Sequence, residues 1–234
     1  MNTLISLLLD FFLPRHCIMC GQQLHTGECP VCIHCNMDLP RTFFWNEPYD
    51  NVLAKRFYGK AYIEKAAAYL FYFSHTETAN IFYSFKYDNE PYTATQMGKM
   101  LAEELEPSGF FNDIDCLIPV PLNSSKKRKR GYNQSEKLAQ GISKVTGIEV
   151  VTNALRRKKN TVSQTLLGKY ERQDNMSNVF ERTIHATRLA GKHCLLIDDV
   201  ITTGSTICAC ARELAAVPDI KTSIFALGCV KDIK

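Results

Sequence analysis

In this 234-residue sequence the densest chemistry lies in one short stretch. The apolar run Leu195-Leu-Ile197 ends in two acids, Asp198 and Asp199. A turn dense in hydroxyls follows: Thr202, Thr203, Ser205 and Thr206, arranged around Gly204. The run reads as a central strand, and a helix is expected from Thr206 to about Ala216. Free backbone N–H groups at a helix start, with the helix dipole, attract anions. Hydroxyls beside them add donors suited to a phosphate monoester, and Gly204 admits backbone geometry that other residues resist. Acids repel phosphate but suit a sugar diol and a Mg²⁺ ion. The local physics points to a sugar phosphate, with its phosphate in the turn and its diol on the acids.

A second constellation lies at the front. Cys17-x2-Cys20 and Cys32-x2-Cys35 are separated by eleven residues. Two such pairs close a tetrahedral thiolate cage around zinc, since each turn aims two sulfurs at one ion. Gly21 suits the tight turn of the first pair. Cys29 also forms a CxxC with Cys32, so Cys29/Cys32 is an alternative second pair, and His16, His25 or His34 can substitute. Cys32/Cys35 is the pair favoured here. A closed four-thiolate site is structural. A region of about 40 residues has too little core to fold alone, and zinc supplies ~10–16 kcal/mol of apparent binding energy. The remaining cysteines, Cys116, Cys194, Cys208, Cys210 and Cys229, sit in apolar surroundings and read as small core residues.

Charge is uneven. Residues 117–172 hold 13 Lys or Arg against 3 Glu, whereas the rest of the chain holds 15 basic and 21 acidic side chains. A basic middle in an acidic remainder fits a polyanionic partner. Five cations run together at Lys126-Lys-Arg-Lys-Arg130, read as a loop, and four at Arg156-Arg-Lys-Lys159. One pyrophosphate needs fewer than five. Lys126, Lys127, Arg128 and Lys129 suit the backbone of single-stranded DNA, with Tyr132 as a stacking face.

These groups need elements to position them. The composition, 45% hydrophobic and 22% charged, is globular and excludes collagen-like and low-complexity classes. No run of 18 apolar residues occurs, so no membrane span is expected. Residues 1–13 are apolar but carry Asp10 and lack a leading basic region, unlike a signal peptide. They read as an amphipathic helix docking on the body, with a membrane-surface role as the alternative. Ten cysteines without a signal peptide place the chain in a reducing cytoplasm.

Aromatic-rich residues 56–73 read as two strands. Helices are expected from Thr76 or Thr78 to about Phe85, from Thr93 or Thr95 to before Pro107, and from Asn133 to about Val145. Strands are expected at 115–120, 148–152, 193–197 and 222–227. His193 reads as a core or edge histidine. The alternation predicts an α/β domain with a largely parallel sheet, whose ligands bind beyond the carboxyl ends of the strands. The expected organisation is a cysteine module with its N-terminal helix over 1–40, a linker over 41–55, and the α/β domain over 56–234.

Asp-Asp-Val-Ile-Thr-Thr-Gly-Ser-Thr at 198–206 resembles the phosphoribosyl-pyrophosphate (PRPP) motif of type I phosphoribosyltransferases. That resemblance implies their fold, a largely parallel five-stranded sheet flanked by helices with a hood, here preceded by a small zinc-ribbon-like module. The cysteine pairs, Pro119-Val-Pro-Leu122, Arg130-Gly-Tyr-Asn-Gln134, Gln164, Glu171-Arg172 and Asn175 follow one another as in the competence protein F family, which the chain resembles over almost its whole length. The resemblance implies PRPP binding with Mg²⁺ by Asp198, Asp199, Thr202, Thr203, Gly204, Ser205, Thr206, Arg130, Gly131 and Arg172. It implies transfer of the phosphoribosyl group to an unidentified acceptor, with Asp198, Asp199 and Arg130 catalytic. Residues 160–180 resemble the flap that closes over PRPP. The family's roles in DNA uptake imply single-stranded DNA and uptake-machinery proteins as partners. The alternative is a non-catalytic PRPP-sensing or DNA-binding protein on the same fold.

Overall fold

The structure, a computed structural model, describes residues 14–25, 27, 28, 30–87, 91–158 and 179–231. The expected N-terminal helix, Cys29, Lys159 and the flap residues Gln164, Glu171, Arg172 and Asn175 lie outside the described residues.

The elements in chain order are α1 (Ile33–Met37), α2 (Val52–Lys55), β1 (Ala66–Tyr72), α3 (Ala79–Tyr87), α4 (Pro91–Leu105), β2 (Cys116–Pro119), α5 (Ser124–Arg130), α6 (Gln134–Thr146), β3 (Glu149–Val150), β4 (Leu155–Arg157), β5 (Phe180–Arg182), β6 (His193–Ile201), α7 (Ser205–Leu214) and β7 (Lys221–Val230). Five strands form one sheet in the order β1-β7-β6-β2-β3, and every pairing is parallel. β4 and β5 form a separate antiparallel pair. The expected parallel sheet flanked by helices is present.

β6 and β7 are covered on both faces, which is why their sequences are almost continuously apolar. Along β6 the side chains alternate between two cores. Leu195 and Ile197 pack with Met97 and Leu101 of α4 and Leu138 and Ile142 of α6. Cys194 and Leu196 pack with Ile207, Cys210 and Leu214 of α7. The five later cysteines are all buried and reduced, as expected, and Cys116 faces Cys194 across β2 and β6 with sulfurs 3.2 Å apart. α4 and α6 approach so closely that a Cβ on Gly141 would stand 2.1 Å from the Thr95 carbonyl oxygen. Glycines at Gly98 and Gly141 are what let the two backbones touch.

Residues 56–73 contain one strand, not two. The chain turns through 56–60, and β1 begins only at Ala66. Phe57 is buried at that turn, so the aromatic signal reported burial rather than extended backbone.

Residues 41–55 lie against β1: the Thr42 N–H donates to the Tyr69 carbonyl, and Trp45 stacks on the Tyr69 ring at 5.7 Å. The cysteine module joins the same core, with Cys17, Met19, Leu24, Val31, Cys32 and Cys35 packed beside residues of α3 and α4. Arg41 ties the two together. Its guanidinium donates to the Asn36 carbonyl and side-chain oxygens, in α1, and to both carboxylate oxygens of Glu104 on α4. The Tyr69 hydroxyl also donates to Glu104, at 2.6 Å.

Candidate functional site

β2 and β6 are neighbours, and both end at one edge of the sheet. Their carboxyl ends open into a cleft of about 380 Å³. The segment that follows β2 contributes Val120, Pro121 and Leu122 to its wall. β6 and the following turn contribute Asp198, Asp199, Val200, Thr202 and Thr206, while α5 contributes Lys126 and Arg130. The two acids, part of the hydroxyl turn and part of the basic run, far apart in sequence, therefore line one cavity. This is the place where open α/β sheets receive ligands.

The acids differ. Asp198 is buried, and its Oδ1 accepts from the Ser135 hydroxyl at 3.3 Å and from the Asp199 N–H at 2.9 Å. Burial, then the adjacent Asp199 charge, pushes the Asp198 carboxyl well above the usual carboxylate range. Asp199 is half-buried and faces the cleft, with one oxygen accepting from the Val200 N–H at 2.7 Å.

The hydroxyl turn is built around Gly204. Its φ of +80° is a left-handed conformation, and a Cβ there would stand 2.8 Å from the Phe57 ring. Glycine answers both constraints. Gly204 caps α7, which starts at Ser205, one residue before the expected start. The Thr203 hydroxyl donates to the Ser205 hydroxyl at 3.1 Å and accepts from the Ser205 N–H at 3.4 Å. Arg56 secures the turn from behind by donating to the Thr202 carbonyl at 3.0 Å and to the Val230 carbonyl.

The basic run is a helix rather than a loop. Asn123 caps α5 by accepting from the Ser125 N–H at 2.9 Å. Four of its five cations, Lys127 to Arg130, sit in the last turn, where the helix dipole favours them, and Gly131 ends it at φ +74°. The helix sorts the run: Lys126 and Arg130 line the cleft, whereas Lys127, Arg128 and Lys129 are exposed and do not. Tyr132 is not an exposed stacking face. It is buried, and its hydroxyl donates to the Phe85 carbonyl at 2.9 Å.

Two contributors, Ser135 and Arg56, carry no sequence signal, and a third, Arg157, is marked only as part of the basic run at 156–159. Ser135 and Arg56 hold the acids and the turn. Arg157, on β4, lines the cleft with its guanidinium 5.3 Å from the centre of the Phe180 ring. Its Nε is buried and, among the described residues, has no hydrogen-bond partner. Neighbouring Arg156 projects the other way and pairs with Glu181 at 2.7 Å. Period-two alternation in a strand is the signal that separates the two arginines.

Away from the cleft, Cys17, Cys20, Cys32 and Cys35 converge, their sulfurs all within 4.8 Å of one another. Cys20 and Cys32 are 3.9 Å apart, close to the roughly 3.8 Å edge of a tetrahedron of thiolates at zinc distance. Among the described residues no histidine joins the cluster. Burial would raise the Cys17 thiol, but N–H groups of Cys20, Cys32 and Met19 aimed at its sulfur bring it down to about 7. The Cys20 and Cys35 thiols are shifted the other way, so it is the convergence of four sulfurs, rather than their acidity, that fits a soft divalent cation. His193 is a buried core residue at the opposite end of β6. Its Nε2 is 2.7 Å from the Ser223 hydroxyl.

Residues 94–219, more than half the chain, match the phosphoribosyl transferase domain family. Competence protein F of Haemophilus influenzae is 37% identical over 93 residues, which cover 40% of this chain and 41% of that protein. DNA utilization protein YhgH of Escherichia coli O157:H7 is 34% identical over 100 residues, 43% of each. The chain spans about two fifths of the length of these curated relatives. Among solved structures, an adenine phosphoribosyltransferase aligns with a TM-score of 0.40 at 15% identity, over 66% of this chain and 76% of that one. No helix among the described residues is long and apolar enough to cross a membrane.

Proposed function

The chain belongs to the phosphoribosyl transferase domain family, and from that premise we propose that its cleft binds PRPP with Mg²⁺ and transfers the phosphoribosyl group to an acceptor nucleophile. The observation that carries this reading is the single cleft shared by Asp198, Asp199, Thr202, Thr206, Lys126 and Arg130. The 5′-phosphate sits at the start of α7, among the N–H groups and hydroxyls of Thr202–Thr206. The ribose hydroxyls lie toward Asp199, with Asp198 fixing that acid through its N–H. Arg130, Lys126 and the backbone at Gly131 take the pyrophosphate end, where a planar guanidinium suits two phosphate oxygens at once. Arg172 is assigned to the same ligand from the family pattern alone.

The acceptor's lone pair forms the new bond to C1 as the C1–O bond breaks. Pyrophosphate departs with that electron pair, and the acceptor's proton passes to solvent or to the leaving group. Asp199, facing the cleft, would be the side chain to hold Mg²⁺, which when bound would supply charge neutralisation to the pyrophosphate. Anchoring the remote phosphate supplies orientation at the reacting carbon. The four cysteines hold zinc as a structural ion.

A second reading has its own support. Lys127, Arg128 and Lys129 form an exposed cationic surface outside the cleft, and the curated relatives are named for competence and DNA utilization. On this reading the protein handles single-stranded DNA during uptake, with PRPP as substrate or signal.

Calorimetric titration with Mg²⁺ and PRPP tests the first reading. Binding that weakens tenfold or more in Asp199→Asn supports it. No binding by folded, zinc-loaded protein overturns it.

A further inference from the structure

Gln134 is the first residue of α6 and is almost completely buried, yet it borders the cleft. Both ends of its amide are engaged. Its Nε2 donates to the Phe85 carbonyl at 3.0 Å, and its Oε1 accepts from Arg130 Nη1 at 3.0 Å. The orientation of this amide is dictated by its neighbours. A carbonyl only accepts and a guanidinium only donates, so nitrogen must face Phe85 and oxygen must face Arg130.

Phe85 lies in the last turn of α3, where carbonyls lack a partner within the helix. The Tyr132 hydroxyl donates to the same carbonyl oxygen at 2.9 Å. The Phe85 carbonyl would therefore keep a donor without Gln134, and closing α3 does not require the glutamine. What Gln134 alone does is connect a fixed point on α3 to the half-buried Arg130. Among the described residues no carboxylate pairs with Arg130. A neutral amide can orient the guanidinium without neutralising it, which a carboxylate at this position would do.

We propose that Gln134 is a positioning residue: it aims the Arg130 guanidinium into the cleft and keeps its charge available to a pyrophosphate group. This rests on the reading of Arg130 as a phosphate ligand, and the test separates the two. The probe is inorganic pyrophosphate with Mg²⁺, titrated calorimetrically into the full chain, with melting temperatures recorded for every variant. A double-mutant cycle links Gln134→Met and Arg130→Ala.

Arg130→Ala is expected to weaken pyrophosphate at least tenfold. Gln134→Met is expected to weaken it about fivefold when Arg130 is present and less than twofold when it is absent. Gln134→Glu, which pairs its charge with Arg130, is expected to lose more than Gln134→Met, and it decides the matter if the methionine variant fails to fold. A parent-like affinity in both Gln134 variants, or the same loss in both Arg130 backgrounds, overturns the positioning role and leaves Arg130 as ligand. Unchanged affinity in Arg130→Ala overturns the ligand reading and the inference with it.

Discussion

The side-chain amide of Asn80, on α3, donates to the carbonyl of Met19 at 3.0 Å, so the first cysteine turn is fastened to α3 at a point between Cys17 and Cys20. Arg41 fastens the second turn through Asn36. The cysteine turns thus share a hydrophobic core with α3 and α4 and are held to them by these polar contacts as well.

Metal loss should therefore be felt by the whole chain. Elemental analysis of reduced protein is expected to give one zinc per chain. Chelation, or Cys35→Ser, should lower the melting temperature by roughly 10 °C in a single transition, equivalent to ~3 kcal/mol for a chain of this size. Zinc-free protein with an unchanged melting temperature would show that the cysteines are merely packed thiols.

Asp198 sets stability against binding. Its folded-state carboxyl titrates above the unfolded one, so the folded protein holds the extra proton between the two values. Stability therefore falls as pH rises through that window. Asp198→Asn keeps an oxygen for the Ser135 hydroxyl and the Asp199 N–H while removing the buried charge. It is expected to stabilise the chain by about 1 kcal/mol at pH 7.5, or about 2–4 °C, with the gain vanishing near pH 4. Affinity for Mg²⁺ and PRPP should fall at the same time. A variant less stable than the parent at pH 7.5 would mean that Asp198 gains more from its surroundings as an anion than burial costs it.

Local signals explain what was readable in advance. The apolar run leading into Asp198-Asp199, the hydroxyl turn and the paired CxxC spacing are each local in sequence; β6 runs on past the acids to Ile201, the acids border the cleft with part of the turn, and the four cysteines converge. Five adjacent like charges argue against a helix, yet 124–130 is one. The Asn123 cap and Gly131 stop were its visible signatures. Ser135, Arg56 and Phe57 reach the site from elements distant in sequence, so only the fold reveals them. Tyr132 was misread because an aromatic beside basic residues looks the same whether it stacks outward or closes a helix end inward.

Arg157 and Arg156 make a matched pair for a third experiment. Arg157 faces the cleft with a buried Nε that has no partner among the described residues, and Arg156 faces Glu181 outside it. A buried cationic donor without an acceptor is costly unless a ligand supplies one. Arg157→Ala is expected to weaken Mg²⁺–PRPP binding about tenfold, ~1.4 kcal/mol, and Arg156→Ala by less than twofold. Equal effects would show that the strand's net charge matters and its alternation does not.

The outer face of α5 gives the last prediction. Lys127, Arg128 and Lys129 are exposed, whereas Lys126 and Arg130 border the cleft. A variant that separates DNA binding from PRPP binding must spare those two. Lys127→Gln, Arg128→Gln and Lys129→Gln combined should leave PRPP affinity within twofold. Single-stranded DNA binding, read by fluorescence anisotropy across a salt series, should weaken. Each phosphate contact contributes about 0.7 to the slope of log affinity against log salt, so losing three should flatten it by roughly 2. A parent-like slope would remove this helix from the DNA surface. A parallel loss of PRPP affinity would show that the outer and inner faces of α5 act on one ligand.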